Sequence, residues 1–263
     1  MKDFEKKKIG NFLETHPHLE YFCTFIGYPK SGHSLVGSLL DAHPNIIIAH
    51  ELHVLKCIKL GFNREAIYSL LLQNSQYYSK RDRTWSGYSY LVPRQWNGRY
   101  KNLVVIGDKK GGGTTDLLHQ YPGLLDKLID TIPLKHKFIH VARNPFDSIT
   151  TLSIAIKEDL KSLIGLFSQM WEVVSSLKKK IPPDDLFEIN HEEFISNPGK
   201  WLLKLCRFLG QEIPPGYLDD CTAIINPIPH KSRFKITWPG EDIRAVEKKI
   251  KRYPFLQGYA YDS

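Results

Sequence analysis

The chain has no apolar run approaching ~18 residues, no internal repeat and no low-complexity tract. The first absence argues against a membrane span, the others against a solenoid or a disordered array. Its four cysteines, Cys23, Cys57, Cys206 and Cys221, form no CxxC pair and stand at no zinc-finger spacing from a histidine. That argues against a disulfide scaffold or a bound metal. Apolar neighbours mark them as buried free thiols, which suits a reducing compartment. Met1-Lys2-Asp3-Phe4-Glu5-Lys6 lacks the apolar core of a signal peptide, so a cytoplasmic protein is expected. No RNP, helix-turn-helix, KH or zinc pattern accompanies the basic charge.

What is present is a basic, aromatic-rich chain. Its 263 residues are 42% hydrophobic and 12% aromatic, enough for one large domain over 1–263. The net charge is +8, from 36 Lys+Arg against 28 Asp+Glu, which suits an anionic ligand. The runs Lys6-Lys7-Lys8, Lys178-Lys179-Lys180 and Lys248-Lys249 read as solvated faces. Short β-like runs at 21–26, 46–49, 103–107, 137–142 and 185–189 alternate with helical patterns. Helices are expected from Gly32 to about Ala42, over 64–72, from Asn144-Pro145 with Phe146, Ile149, Leu152 and Ile156 inward, over about 159–180, from Asn197-Pro198, and from near Gly240. This alternation predicts a P-loop-like, three-layer α/β fold: a central, mainly parallel sheet flanked by helices. Residues 73–101 show no period and form a candidate lid or substrate-pocket insertion. Trp85, Tyr88, Tyr90 and Trp96 within it are a candidate aromatic pocket wall.

The most informative stretch is Gly27-Tyr28-Pro29-Lys30-Ser31-Gly32-His33-Ser34, between an apolar run and a helix start. Loop N–H groups and the positive end of a helix dipole converge there on one point, which makes an anion cradle. The spacing is nearly that of a Walker A loop, but His33 stands where the lysine belongs and Lys30 lies inside the loop. A phosphate site is expected, with Lys30, Ser31, Gly32, His33 and Ser34 as donors. Mg-nucleoside triphosphate is not its expected ligand. A second constellation is His140-Val141-Ala142-Arg143-Asn144-Pro145, with Thr151 two turns into the helix that follows. Arg143, at a strand end, is placed for bidentate phosphate binding, and Thr151 can reach back to the same group.

Together these motifs resemble the sulfotransferases that use 3′-phosphoadenosine 5′-phosphosulfate (PAPS). In that family a YPKSGTT-type loop holds the 5′-phosphosulfate. An Arg at a strand end and a hydroxyl eight residues later hold the 3′-phosphate. Tyr28–Ser34 matches the loop with His33 for Thr, and Arg143 and Thr151 keep the offset with Thr for Ser. Leu39-Leu40-Asp41-Ala42-His43-Pro44-Asn45 with His50-Glu51 resembles the LLDAHP…E run of the bacterial, Golgi and tyrosylprotein branches. Gly107-Asp108-Lys109 resembles the GDK strand end, and Leu186–Phe194 the YEDL segment, with His191 at the place of the adenine-contacting Tyr. Tyr253–Tyr259 reads like the family's ending.

The resemblance implies Glu51 as the catalytic base, and Lys30 and Lys109 as stabilisers of the leaving group. It implies a donor site made of the loop with Arg143, Thr151 and His191, closed by the late basic loop Lys231-Ser232-Arg233. It implies sulfuryl transfer from PAPS to a hydroxyl or amine of a small-molecule acceptor, leaving adenosine 3′,5′-bisphosphate, with no metal. His119 is a conceivable echo of the cytosolic branch's histidine base, in a context that does not match. Three readings stay open: a P-loop kinase or NTPase using Mg-ATP, a nucleic-acid-binding protein, and a non-catalytic relative that keeps its nucleotide site.

Overall fold

Five strands buried deep in the chain point the same way and end on one edge, and that edge organises the molecule. The computed structural model describes residues 11–263. The Lys6-Lys7-Lys8 run and the Met1–Lys6 stretch lie outside the described residues. The strands are β1 (Tyr21–Ile26), β2 (Ile46–His50), the short β3 (Thr84–Trp85) and β4 (Tyr88–Ser89), β5 (Val105–Lys109), β6 (Lys135–Ala142) and β7 (Leu186–Asn190). Between them run α1 (Phe12–Thr15), α2 (His33–Asp41), α3 (Val54–Lys59), α4 (Arg64–Ser79), α5 (Gly111–Gln120), α6 (Leu124–Thr131), α7 (Pro145–Ile156), α8 (Leu160–Lys180), α9 (His191–Ser196), α10 (Pro198–Phe208), α11 (Tyr217–Ala223) and α12 (Gly240–Ile250).

The main sheet has the order β2-β5-β1-β6-β7, with every neighbouring pair parallel. Its central strands are near-continuous apolar runs because both faces are covered by helices. Phe22 and Ile26 of β1 pack on one face with Ile47, Ile106, Leu128 and Ile132. Cys23 and Phe25 pack on the other with Leu39, Leu40, Ile139, Leu202 and Leu205. This is the alternation a strand imposes. A third cluster, Tyr28, Phe146, Ile149, Phe167, Trp171, Trp238 and Val246, seats α7, α8 and α12 beside the sheet. Chain order reverses about β1, so a crevice opens beyond the carboxyl ends of the strands, where α/β proteins place their ligands.

All five expected strands are present, with boundaries moved by up to two residues. The helix expected over 64–72 continues to Ser79, and residues 84–89 form a two-stranded antiparallel hairpin. Ile156, expected inward, is exposed: it is the last residue of α7, and Lys157 ends the helix in a left-handed conformation. Lys178 is not on a solvated face. Its side chain pairs with Glu188 and lies 3.9 Å from the Phe255 ring centroid. Cys23, Cys206 and Cys221 are buried, Cys57 is half-buried, and all four are free thiols. No helix among the described residues is long and apolar enough to cross a membrane.

Candidate functional site

Each strand of the main sheet delivers one candidate residue at its carboxyl end. Lys30 follows β1, Glu51 follows β2, Lys109 ends β5, Arg143 follows β6 and His191 follows β7. A parallel sheet therefore gathers residues far apart in sequence along one edge.

The loop after β1 is built around a buried histidine. Gly32, at φ 102°, caps α2 in a conformation that favours glycine. The N–H groups of His33 and Ser34 then open the helix without intrahelical acceptors. The His33 ring turns beneath the loop: Nε2–H donates to the Ile26 carbonyl at 3.1 Å, and Nδ1 accepts from the Ser31 hydroxyl at 3.0 Å. Space for the ring comes from two glycines. A Cβ on Gly27 would sit 2.8 Å from His33 Cε1, and one on Gly111 would sit 2.4 Å from it. His33 and the Ser31 hydroxyl thus stiffen the floor, and the loop's backbone N–H groups, Ser34 and Lys30 remain to face an anion. Lys30 is itself held at φ 62°.

Glu51 lies in a tight turn with φ 59°, followed by His53 at φ 68°. Asp108 fixes this turn by accepting from the N–H groups of Leu52 at 3.1 Å and Val54 at 2.9 Å. Burial pushes the Asp108 carboxyl up to about 6. Lys109, 2% exposed along its side chain, passes over Gly37. Its Nζ donates to Glu51 Oε1 at 2.6 Å and to Ser34 Oγ at 3.0 Å, so one ammonium ties the candidate base to the anion loop. Lys110 pairs with Oε2 of the same carboxylate. Burial alone would raise the Glu51 pKa; the two ammonium groups outweigh it and bring it down to about 2.

Arg143 is fastened to the loop. The Tyr28 hydroxyl donates to the Arg143 carbonyl and accepts from its N–H, both at 3.0 Å. The guanidinium donates to the Lys30 carbonyl at 3.0 Å and to the His230 carbonyl at 2.9 Å. The two candidate anion sites therefore share one rim. Among the described residues Thr151 Oγ1 is buried with no partner, and so is His191 Nδ1, whose ring overlies Gly32 closely enough that a Cβ there would approach within 2.4 Å. A buried polar atom left unpaired costs stability. The late basic loop divides. Lys231 is exposed and Ser232 is buried. Arg233 is buried and committed to Asp147, donating its N–H at 2.9 Å and its guanidinium at 2.7 Å. Arg233→Met should cost about 3–5 kcal/mol of stability by leaving Asp147 buried and unpaired, read as a lower urea midpoint.

The Sulfotransferase family model matches residues 24–215, most of the chain and the carboxyl ends of all five strands of the main sheet; the late basic loop and the tail lie beyond it. The chain belongs to this family. Among solved structures it is similar to the sulfotransferase domain of the Synechococcus PCC 7002 olefin synthase, at 16% identity over 88% of this chain and 94% of that one, with a TM-score of 0.55. It is also similar to a sulfotransferase from Alicyclobacillus acidocaldarius, at 15% identity over 92% and 96% of the two chains, TM-score 0.53. At those identities the likeness is one of fold. No curated protein matches the chain significantly.

Three further residues shape the site, and the motifs alone assign them no role. Lys110 is the second of two lysines ending the GDK segment. Asp108 sits inside that segment. Thr115 accepts the Gly27 N–H at 2.8 Å and so braces the loop from α5. His119 is exposed near the far end of α5, against Gln169, and takes no part in the site. Trp96 also stands apart. It lines a separate cavity of about 450 Å³ with Gln76, Lys80 and Arg99, so the four aromatic residues do not form one wall.

Burial holds four histidines neutral in and under the site. His33, His50 and His191 are brought down to about 3 and His140 to about 4. The unfolded chain titrates these groups near 6.5, so below that pH it binds protons the folded protein refuses. Stability should be fully present above pH 6.5 and fall as the pH drops toward 4, by about 1.4 kcal/mol per pH unit for each histidine. Urea midpoints at pH 7.5 and 5 check this; a midpoint higher at pH 5 contradicts it.

Proposed function

We propose that this family member transfers the sulfuryl group of PAPS to a hydroxyl or amine of a small-molecule acceptor. The observation that carries the reading is the hydrogen bond from Arg143 to the Lys30 carbonyl, which puts the two candidate anion sites on one rim. The unpaired Thr151 Oγ1 and His191 Nδ1 support a ligand with a second phosphate and a base. The donor supplies the sulfuryl group and, as leaving group, the bisphosphate.

The chain's residues would do the rest. The N–H groups opening α2, with Lys30 and Ser34, hold the 5′ end; Arg143 and Thr151 hold the 3′-phosphate; His191 flanks the base; Lys231 and Ser232 close the rim. Lys30 and Lys109 face the oxygen on which charge grows, and preorganised cations there are the main source of rate. Glu51 takes the acceptor proton and passes it to solvent as the new S–O or S–N bond forms. With a pKa of about 2, Glu51 is a weak base while both lysines grip it. We infer that Lys109 and Lys110 exchange the carboxylate for donor oxygens, which returns Glu51 toward ordinary basicity only when the donor site is filled. The exposed residues of the 73–101 segment would line the acceptor side, and 1–263 acts as one catalytic domain. Four free thiols support a cytoplasmic setting.

The test is incubation with sulfur-35-labelled PAPS and an extract of the source cell. Label should move to a small acceptor, without added metal. Label that stays on the donor in every extract would count against transfer.

A further inference from the structure

The hairpin β3–β4 presents an unexplained order. It has two residue pairs, Thr84–Ser89 and Trp85–Tyr88, all of them exposed. A hairpin that short does not hold itself in water. Something else must set its position, and the candidate is the buried ion pair at its base. Arg83 is 1% exposed and Asp41 is 0% exposed. Asp41 also accepts from the Ile48 N–H at 2.6 Å and from the Ser75 hydroxyl at 2.8 Å, which joins α2, β2 and α4 at one carboxylate. Arg83 donates as well to the Ser79 hydroxyl at 2.8 Å.

From Arg83 a column of flat groups runs to the site. Its guanidinium lies 4.7 Å from the Tyr78 ring centroid, and the Tyr78 hydroxyl donates to the Arg83 carbonyl at 2.7 Å. Tyr78 stacks on His50 at 3.9 Å and 17°. His50 meets the edge of Trp85 at 4.7 Å and 72°. The Trp85 ring centroid is 5.8 Å from Lys109 Nζ, the ammonium that holds Glu51 and Ser34. Trp85 remains 44% exposed, so the column ends on a partly exposed indole beside Lys109. A buried ion pair is a poor source of net stability compared with apolar packing of the same volume. Its attested use is to fix one arrangement over others, and here the arrangement fixed is that of Trp85.

We propose that Arg83, locked by Asp41, is a positioning residue: through Tyr78 and His50 it holds Trp85 as the wall of the acceptor side of the Glu51–Lys109 site. The role of that site rests on the sulfotransfer reading; the column does not. Arg83 touches neither donor nor acceptor, and Trp85 meets the acceptor.

The test labels the full chain with 5-fluorotryptophan and follows its five indoles by fluorine NMR, with Trp85→Phe assigning the Trp85 resonance. In Arg83→Met, the Trp85 resonance should shift and broaden, while those of buried Trp171 and Trp238 hold. If Arg83→Met does not fold, Arg83→Lys serves, since it keeps the charge and loses the planar contact with Tyr78. 2-Naphthol, a hydroxylated flat ring, is the acceptor probe. Its titration should move Trp85 first, and Trp85→Ala should weaken its binding about tenfold, the scale of one lost aromatic contact. An unmoved Trp85 in both Arg83 variants overturns the positioning role, as does a collective shift of all five indoles. A probe that moves no indole, or the others alone, overturns the wall. Calorimetry with adenosine 3′,5′-bisphosphate runs alongside: failure of wild type to bind it strikes the sulfotransfer reading and leaves the NMR result standing.

Discussion

Glu51→Gln should abolish turnover, by about 100- to 10,000-fold in kcat, while leaving nucleotide affinity intact. The amide keeps the shape of the side chain and one oxygen for Lys109, which donates to Oε1 at 2.6 Å in the wild type. It cannot take a proton at neutral pH. It also weakens the grip of the carboxylate on Lys109 and Lys110, so the ammonium groups are freer to meet an anion. Affinity for adenosine 3′,5′-bisphosphate should therefore stay level or rise. Stopped-time assays with labelled donor and calorimetry on the same preparation separate the two effects. Unchanged turnover removes Glu51 as the base. Loss of both turnover and binding makes the Glu51 ion pairs a structural brace.

Arg143→Ala should weaken adenosine 3′,5′-bisphosphate by about 10- to 100-fold, the value of a charge-assisted bidentate contact to phosphate. Adenosine 5′-phosphosulfate, which lacks the 3′-phosphate, should lose much less. The comparison matters because Arg143 also braces the loop through the Lys30 and His230 carbonyls. An equal loss for the two ligands would mean that Arg143 acts only through that brace. The backbone N–H of Arg143 and its bond to the Tyr28 hydroxyl survive the substitution, so the strand tip itself should stay in place.

Much of this arrangement could be read in the sequence because each central strand is a short apolar run closed by a turn signal. Ile46–His50 is β2, and its neighbours on the sheet have the same character. The helix starts after Gly32 and Asn144-Pro145 were legible because capping chemistry is local: Asn144 Oδ1 accepts from the Phe146 N–H at 3.0 Å. The candidate residues follow directly, since they sit where those strands stop.

What was hidden depends on contacts distant in sequence or on segments of weak propensity. Helix α5 opens on Gly111-Gly112-Gly113, which no propensity argument favours. It forms where Gly111 makes room for the His33 ring and Thr115 meets Gly27. The hairpin at 84–89 carries no period because it has two residues per strand, and its anchor, Asp41, lies 42 positions from Arg83. Arg233 looked like a phosphate ligand by its neighbours in sequence, and only the fold shows it spent on Asp147, 86 positions away. His33 stands in for a small residue, and the accommodation needs two glycines, one in the loop after β1 and one opening α5.

The most direct test of the central claim, one cleft built for a doubly phosphorylated adenosine, is thermal unfolding of the full chain with adenosine 3′,5′-bisphosphate in the presence of a chelator, against Mg-ATP. Saturation at about 100 times the dissociation constant should stabilise by roughly 2.7 kcal/mol, an upward shift of about 5–10 °C in Tm. The account predicts that shift without metal and a smaller one with Mg-ATP. An equal or larger shift with Mg-ATP, or none with the bisphosphate, would contradict it.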